Sequence, residues 1–236
     1  MRLVPLPMQL PCMLLLLALL GACARLPVEE ARGSPAEAAA ARSFARLALD
    51  GVPLGSAVAV APGLLVTSAH AIPDGAERLA FTRGDGAVRG QAVLAGRSAR
   101  MDLAVLAVPA GLFTPVPIAS APPEPGQRLW AVGAPAAGPA LAAGEVLRPA
   151  AWLPGHGPGF TARLPALLGY SGGPAVDGQG RLVGLVIALP QPGAAPLLAA
   201  LSGVDLDGIA RGRAGREVFL LGAPEAVAEA RRLVPR

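Results

Sequence analysis

The stretch Gly169–Pro174, with the sequence Gly-Tyr-Ser-Gly-Gly-Pro, constrains the fold of this chain more than any other. Glycines on both sides of Ser171 allow a sharp turn that exposes the hydroxyl and leaves backbone N–H groups pointing outward. Acyl transfer needs this arrangement, because a nucleophile must lie beside preorganised donors for the developing oxyanion. The same residues also satisfy the G-x-S-x-G pattern of a nucleophile elbow, so the motif alone leaves two folds open.

The order of the candidate residues along the chain decides between these folds. An elbow serine needs its acid and then its histidine downstream, whereas both histidines, His70 and His156, precede Ser171. The subtilisin order needs an acid well upstream of His70, where Asp50 is the only aspartate. The order histidine, acid, serine is filled by His70, Asp102 and Ser171, and it is the order of the chymotrypsin triad.

Composition limits the classes of protein to consider. A chain of 236 residues is long enough for one domain with a sizeable core. Because aromatic residues make up only 3%, that core must be built from Ala, Val and Leu. The net charge of +4 is scattered without a block of like charges, which argues against nucleic-acid binding. We predict neither a metal site nor a cofactor.

The N-terminus has the features of an export signal. Arg2 precedes the apolar run Met13–Leu20, which is too short for a spanning helix. The following Leu-Gly-Ala-Cys resembles the lipobox of bacterial lipoproteins, which implies a signal peptide over 1–22, lipid on Cys23 and a periplasmic protein anchored to the membrane. Ordinary cleavage after Ala24 is the alternative, and it would leave a soluble periplasmic or secreted protein. The only cysteines, Cys12 and Cys23, lie in this region, so no disulfide is expected in the folded part.

Residues 23–49 are predicted to form a spacer followed by an N-terminal helix. The helix signal is a capping Ser34, Pro35 at the first helical position and Glu37 three residues after the cap. The helix is expected to continue over Ala38–Leu49, because Phe44, Leu47 and Ala48 can share one face.

Short apolar segments separated by turn residues then predict a β-rich domain. The proline-rich stretch Pro109–Pro125 divides them into two groups. The predicted strands are Ser56–Val60, Leu64–Ser68, Arg78–Thr82, Val88–Ala95, Leu103–Val108, Arg128–Val132, Leu141–Leu147, Leu182–Leu189 and Pro196–Leu201.

His70 and Asp102 have both a structural and a catalytic interpretation. His70 follows an apolar strand and, alone, would be interpreted as a core histidine; beside Ser171 it becomes a candidate general base. Asp102 begins a fully apolar strand, where a partly buried carboxylate needs a polar partner. His70 is an available partner, and backbone N–H groups are the alternative.

Three blocks carry a resemblance to a known family: Gly55–His70, Asp102–Leu106 and Gly169–Pro174. They resemble the signature blocks of trypsin-like serine peptidases, and are most similar to the bacterial HtrA (Deg) branch. The resemblance implies an all-β, chymotrypsin-like double barrel within residues 50–205, with barrels at about 51–115 and 121–205. It makes His70 the base, Asp102 its orienting acid and Ser171 the nucleophile. The N–H groups of Gly169 and Ser171 would form the oxyanion hole.

The sequence departs from the HtrA pattern around the nucleophile. The stretch Phe160–Leu168 is predicted to be a loop and lacks the polar residues usual in that branch. By the resemblance, Pro165 and the segment Ile187-Ala188-Leu189 line the substrate pocket, which therefore carries no negative charge and favours a small or medium apolar residue. Tyr170 replaces the aspartate or asparagine that usually precedes the nucleophile. It cannot pair with a new N-terminus as an ion, so no activating cleavage within residues 24–49 is expected.

The remaining segments carry no predicted chemistry. The loop Gly155–Gly159 is expected to leave His156 exposed and outside the site. Residues 206–236 are predicted to form a separate C-terminal extension, with a strand at Arg216–Leu221 and a helix at Pro224–Val234. That length leaves no room for the PDZ domain of HtrA proteins.

The sequence therefore predicts a serine endopeptidase of the bacterial cell envelope that acts on proteins or peptides. The alternative is a peptidase-fold binding or quality-control protein with little hydrolytic activity. It would apply if the loop before the nucleophile fails to hold the oxyanion hole.

Overall fold

The computed structural model describes residues 26–135, 139–187 and 215–234. The strands of the first half are β1 (Phe44–Leu49), β2 (Val52–Ala61), β3 (Leu64–Thr67), β4 (Arg78–Arg83), β5 (Arg89–Arg97) and β6 (Ala104–Ala107). Those of the second half are β7 (Arg128–Val132), β8 (Leu141–Leu153), β9 (Gly157–Leu164), β10 (Pro174–Val176), β11 (Leu182–Ile187) and β12 (Arg216–Gly222). The helical elements are a helix at Pro27–Ala31, a π-helical turn at Ala39–Ser43, a 3₁₀ turn at Ala69–Ala71 and a C-terminal helix at Ala223–Leu233.

These strands form two closed antiparallel barrels, which confirms the predicted all-β double-barrel fold. The first barrel has the order β1-β2-β3-β6-β5-β4, and the second has the order β10-β11-β12-β9-β8-β7. Closure pairs every strand on both sides, so neither barrel leaves a free edge. The cores consist mostly of aliphatic residues and alanine, as the composition predicts; Leu47, Leu65 and Leu106 fill the first barrel, and Leu129 and Leu164 the second.

The predicted helix over Ala38–Leu49 is wrong in its second half. Helical conformation ends at Ser43, and Phe44–Leu49 forms β1, which pairs with β2 and β4. Ala45 and Leu47 are both fully buried and point into the first barrel. Alanine, arginine and leucine, which make up residues 45–49, are all good helix formers. The hydrogen bonds that β1 forms with strands on both sides override this local preference. The first barrel therefore begins at residue 44 rather than 51.

The predicted separate C-terminal extension is also corrected. The strand expected at Arg216–Leu221 is present as β12, but it lies inside the second barrel between β11 and β9. Without it that barrel would stay open, with two unpaired edges. The double-barrel domain therefore extends beyond the predicted limits of 50–205 in both directions.

The stretch before the nucleophile is more ordered than predicted. Residues Gly157–Leu164, expected to belong to flexible loops, form β9, which pairs with β8 and β12. Phe160, Ala162 and Leu164 are buried within the second barrel. Only the four residues 165–168 then connect β9 to the glycine-serine motif, whereas the predicted loop Phe160–Leu168 has nine.

The elements outside the barrels dock onto them. The supposed spacer contains the helix Pro27–Ala31, whose Glu30 carboxylate accepts hydrogen bonds from the N–H groups of Ala140 and Leu141. The barrels are joined by residues 108–127, as the proline-rich stretch predicts. The predicted strand Pro196–Leu201 and the predicted signal peptide lie outside the described residues.

The C-terminal helix lies across both barrels. It contacts β11 and β12 of the second barrel and β5 and β6 of the first. Glu229 is only 2% exposed, and its carboxylate forms ion pairs with Arg100 and Arg232. A buried carboxylate needs such partners, and here one of them comes from the first barrel. None of the helices in the described part of the chain is both long and apolar enough to cross a membrane.

Candidate active site

His70 and Asp102 come together because β3 and β6 are antiparallel neighbours. Thr67, at the end of β3, is paired with Ala104, at the start of β6. The 3₁₀ turn that carries His70 follows β3, and Asp102 lies two residues before β6. Ser171 reaches the same place from the second barrel, in the turn that precedes β10. The first barrel therefore supplies the histidine and acid, and the second supplies the serine.

The three side chains form a continuous hydrogen-bonded chain. His70 Nδ1 lies 2.6 Å from Asp102 Oδ2, and His70 Nε2 lies 3.1 Å from Ser171 Oγ. The backbone N–H of His70 donates to Asp102 Oδ1 at 2.8 Å, so the acid holds both the ring and its backbone. This arrangement fixes the imidazole with Nε2 facing the hydroxyl, which is the geometry of a general base beside a nucleophile.

The environment keeps Asp102 charged. It is 6% exposed, and burial alone would raise its pKa. Hydrogen bonds from the ring and backbone of His70, with the attraction of its imidazolium form, outweigh burial, and the net effect lowers the pKa of Asp102 below its usual range. An ionised Asp102 favours the proton on Nδ1 and stabilises the imidazolium that forms when Nε2 accepts a proton.

The turn around Ser171 depends on two glycines in left-handed conformations. Gly169 has φ +102° and Gly172 has φ +80°. A Cβ at Gly172 would lie 2.3 Å from the carbonyl oxygen of Ser56, so no side chain fits there. These glycines let the turn press against the first barrel while the Ser171 hydroxyl faces His70.

The glycine-serine turn leaves two backbone donors available. In the described ranges, neither the N–H of Gly169 nor that of Ser171 has an acceptor in the protein. The carbonyl of Gly169 is instead fixed by Ser56 Oγ at 2.6 Å and by the N–H of Ala134 at 3.1 Å. Two free N–H groups next to a nucleophile are what an oxyanion hole requires.

Ser56 is a site residue that the sequence analysis missed. It is fully buried on β2 and links the first barrel to the turn of the second. Besides its hydroxyl bond to Gly169, its N–H donates to the carbonyl of Ser171 at 2.9 Å, and its own carbonyl accepts from Thr67 Oγ1 at 2.6 Å. A hydroxyl among the apolar residues of a strand was the only available signal, because its partner lies 113 positions away.

Arg97 is a second residue that the sequence did not reveal. Its guanidinium donates to the carbonyls of Ala69, Ile72 and Pro73 at 2.9–3.0 Å. These carbonyls lie on both sides of His70 in the chain. Arg97, on β5, thus holds the loop that carries the histidine.

Tyr170 is buried beneath the turn and takes no part in an ion pair. Its ring packs on Gly133, where a Cβ would lie only 2.4 Å from the ring, and its hydroxyl donates to the carbonyl of Pro139 at 2.6 Å. Burial, with a smaller effect from the charge of Glu30, raises the pKa of Tyr170 far above its usual value. The residue before the nucleophile is therefore neutral and anchored inside the second barrel.

The other predicted site residues form no hydrogen bond with the triad or are not described. Pro165 lies in the connection after β9 and Ile187 ends β11, while Ala188, Leu189 and Cys23 lie outside the described residues. The His156 side chain takes no part in the chain of hydrogen bonds, since its Nδ1 contacts the carbonyl of Pro154, but the residue is half-buried rather than exposed and its backbone carbonyl accepts from the N–H of Asp102 at 3.4 Å. No group of three or more metal-ligating side chains occurs in the described part of the chain.

Comparisons with known proteins agree with this geometry. Residues 55–185, more than half of the chain, match the family model for the trypsin-like peptidase domain. No curated protein sequence matches the chain.

Among solved structures, the chain is similar to the Rv3671c protease from M. tuberculosis in its active form, with 22% identity, TM-score 0.62 and coverage of 91% of this chain and 87% of that one. It is similar to the HtrA-type protease AlgW with tripeptide, with 21% identity, TM-score 0.64 and coverage of 85% and 63%. It is also similar to the serine endoprotease from Yersinia pestis, with 21% identity, TM-score 0.63 and coverage of 87% and 66%. At such identities these similarities show the fold alone.

Proposed function

Because this chain belongs to the trypsin-like peptidase family, we propose that it is a serine endopeptidase that hydrolyses peptide bonds through an acyl-enzyme. The observation that carries the proposal is the unbroken chain of hydrogen bonds from Asp102 through His70 to Ser171. A purely structural role for these residues would not explain why His70 Nε2 faces the hydroxyl of Ser171, a residue only 6% exposed, beside two free N–H donors.

The geometry assigns each side chain a role in the reaction. Ser171 Oγ attacks the substrate carbonyl carbon while His70 Nε2 takes the hydroxyl proton, and the carbonyl π electrons move to the oxygen. Asp102 holds the imidazole in the correct tautomer and stabilises the imidazolium. The N–H groups of Gly169 and Ser171 donate to the oxyanion. The tetrahedral intermediate then collapses to the acyl-enzyme as the imidazolium protonates the leaving amine. Water attacks the acyl-enzyme with His70 again as the base, and this second step releases the carboxylic acid product and regenerates Ser171.

Cleavage of an unfolded protein substrate tests this function. The wild-type protein is expected to produce fragments, and Ser171→Ala should produce none while keeping the same thermal unfolding temperature. Equal fragmentation by both proteins would assign the cleavage to a contaminant and reject the proposal.

The substrate pocket is proposed to accept a small or medium apolar residue before the scissile bond. Pro165, Ile187, Ala188 and Leu189, which the resemblance assigns to this pocket, carry no charge. A cation at that position of the substrate would thus find no carboxylate partner. A peptide-library profile dominated by arginine would contradict this preference.

The protein is further proposed to act at the bacterial cell envelope, anchored by lipid on Cys23. This location rests on the apolar run and the Leu-Gly-Ala-Cys motif. Mass spectrometry of the mature N-terminus should find a modified Cys23. An unmodified N-terminus that begins after Ala24 would show a soluble periplasmic or secreted protein instead.

A further inference from the structure

A cationic cleft lies on the outer face of the first barrel, beside the start of the N-terminal helix. It has a volume of about 470 Å³, and its lining includes Arg46, Arg83, Arg89 and the hydroxyl-bearing Thr82. None of the residues that line it in the described part of the chain is acidic. The cleft shares no residue with the candidate active site.

Strand register places three of the four polar residues of the cleft in one row. Arg46 on β1 is paired with Thr82 on β4, which in turn is paired with Arg89 on β5. The neighbours of Arg46, Ala45 and Leu47, point into the barrel, so the row faces outward. With about 5 Å between adjacent strands, the two arginine Cα atoms lie about 10 Å apart, with the threonine between them.

The positive charge of this row is not compensated within the described ranges. Arg83 is neutralised by Asp85, which accepts hydrogen bonds from its Nε and Nη2. In contrast, the structure gives Arg46, Arg89 and the Thr82 hydroxyl no hydrogen-bond or ion-pair partner among these residues. The two guanidinium groups are therefore free to bind an anion that lies between them over Thr82.

The donors of the row match the oxygens of a phosphate group. A guanidinium donates two parallel hydrogen bonds to a phosphate, and a hydroxyl donates a third. Two guanidinium groups that reach inward from both ends of the row can bracket one phosphate over Thr82. The cleft is therefore suited to a phosphate monoester or diester rather than to an apolar ligand.

The position of the cleft identifies the source of that phosphate. Leu26 and Pro27 form part of its lining, and Leu26 is only three residues after Cys23. Three residues span at most about 11 Å, so lipid on Cys23 would hold the cleft at the bilayer surface. We propose that the Arg46–Thr82–Arg89 row binds the phosphate of an anionic phospholipid headgroup. This occupant rests on the proposed lipid anchor, whereas the binding itself can be measured without the anchor.

Vesicle binding by a protein that begins at residue 23 and carries Cys23→Ser tests the proposal. Vesicles of phosphatidylcholine alone are compared with vesicles that also contain phosphatidylglycerol. Binding to the anionic vesicles only is expected, and it should weaken as salt rises. Each arginine near an anionic bilayer strengthens partition about fivefold, so Arg46→Gln/Arg89→Gln should weaken it roughly 25-fold.

A double variant with the same loss of charge serves as the control. Arg128→Gln/Arg231→Gln removes two arginines outside the cleft. Once salt screens the long-range attraction, this double variant should change partition into anionic vesicles less than threefold. Equal weakening by both double variants would mean nonspecific attraction and would overturn the site. Absence of binding to anionic vesicles by the parent protein would overturn the assignment of the ligand to a membrane lipid.

Titration with glycerol phosphate distinguishes a lipid from a soluble ligand. If glycerol phosphate binds the parent protein while the vesicles do not, the ligand is a soluble phosphate and the membrane assignment is overturned. Neither vesicle binding nor glycerol phosphate binding depends on peptidase activity. Failure of the phosphate site is therefore distinguishable from failure of the proposed function.

Discussion

Glu229 Oε1 accepts a hydrogen bond from Ser98 Oγ at 2.5 Å, although the two residues are 131 positions apart. Ser98 Oγ in turn accepts from the N–H groups of Arg100 and Met101, the two residues immediately before Asp102. The C-terminal helix therefore fixes the loop that delivers the acid to His70. A segment without chemistry of its own thus bears on the geometry of the site.

Loss of this contact is expected to reduce both stability and turnover. Glu229→Ala leaves the Ser98 hydroxyl without its buried acceptor and should lower the free energy of unfolding by about 1–3 kcal/mol. Because the loop before Asp102 loosens, kcat should fall while KM changes little. Glu229→Gln keeps an acceptor for Ser98 and should recover most of kcat. Equal kcat for the wild type and Glu229→Ala, at a temperature where both are folded, would show that the helix does not position the acid.

The same carboxylate should make stability depend on acid pH. Hydrogen bonds from Arg232 and then Arg100 outweigh burial and lower the pKa of Glu229 well below its usual range. A depressed native pKa means that the stabilisation is present above the unfolded pKa, about 4.3, and is lost as pH falls towards the native value. Glu229→Gln should therefore have a flatter decline in unfolding temperature below about pH 5 than the wild type. Parallel declines, measured by thermal unfolding across pH, would refute this role.

Ser56 is expected to support the oxyanion donors. Ser56→Ala removes the hydroxyl that fixes the Gly169 carbonyl, and a buried hydrogen bond contributes about 1 kcal/mol. The rate of fluorophosphonate labelling should then fall about fivefold, since 1.4 kcal/mol corresponds to tenfold.

Ser43→Ala is the matched control for this change. Ser43 is also buried and donates to a backbone carbonyl, that of Thr114, at 2.7 Å, but it lies outside the site. It should lower stability by a similar amount and leave the labelling rate unchanged. If the two variants label at the same rate, Ser56 contributes only to stability.

Much of the site could be predicted because its signals are local. The order of His70, Asp102 and Ser171, and the glycines around the serine, stand in short contiguous motifs. The helix predicted through Leu49 was wrong because β1 owes its conformation to partners that lie far along the chain. The roles of Ser56 and Glu229 were not predictable for the same reason, since each depends on a contact across more than a hundred residues.

Tyr170 implies a peptidase that needs no activating cleavage. Its buried, neutral phenol is satisfied by Pro139, so no ammonium group is required to hold the turn. A protein that begins at Ala24 should label with fluorophosphonate without a lag, and incubation with a processing protease should not accelerate it. Removal of residues through Leu49 would delete β1 and open the first barrel, so such a truncation should unfold rather than activate the protein. A full-length form that is inert until its N-terminus is cut would contradict this account.

The roles of Ser171 and His70 are tested most directly by fluorophosphonate labelling, with intact-mass measurement of the wild type, Ser171→Ala and His70→Ala. The wild type should gain one adduct, located at Ser171 by peptide mapping. Ser171→Ala should gain none, and His70→Ala should react slower by several orders of magnitude, on the order of 10⁶-fold in turnover by the precedent of such triads. A wild type that stays unlabelled while folded, or a Ser171→Ala variant labelled at the wild-type rate, would contradict the proposal.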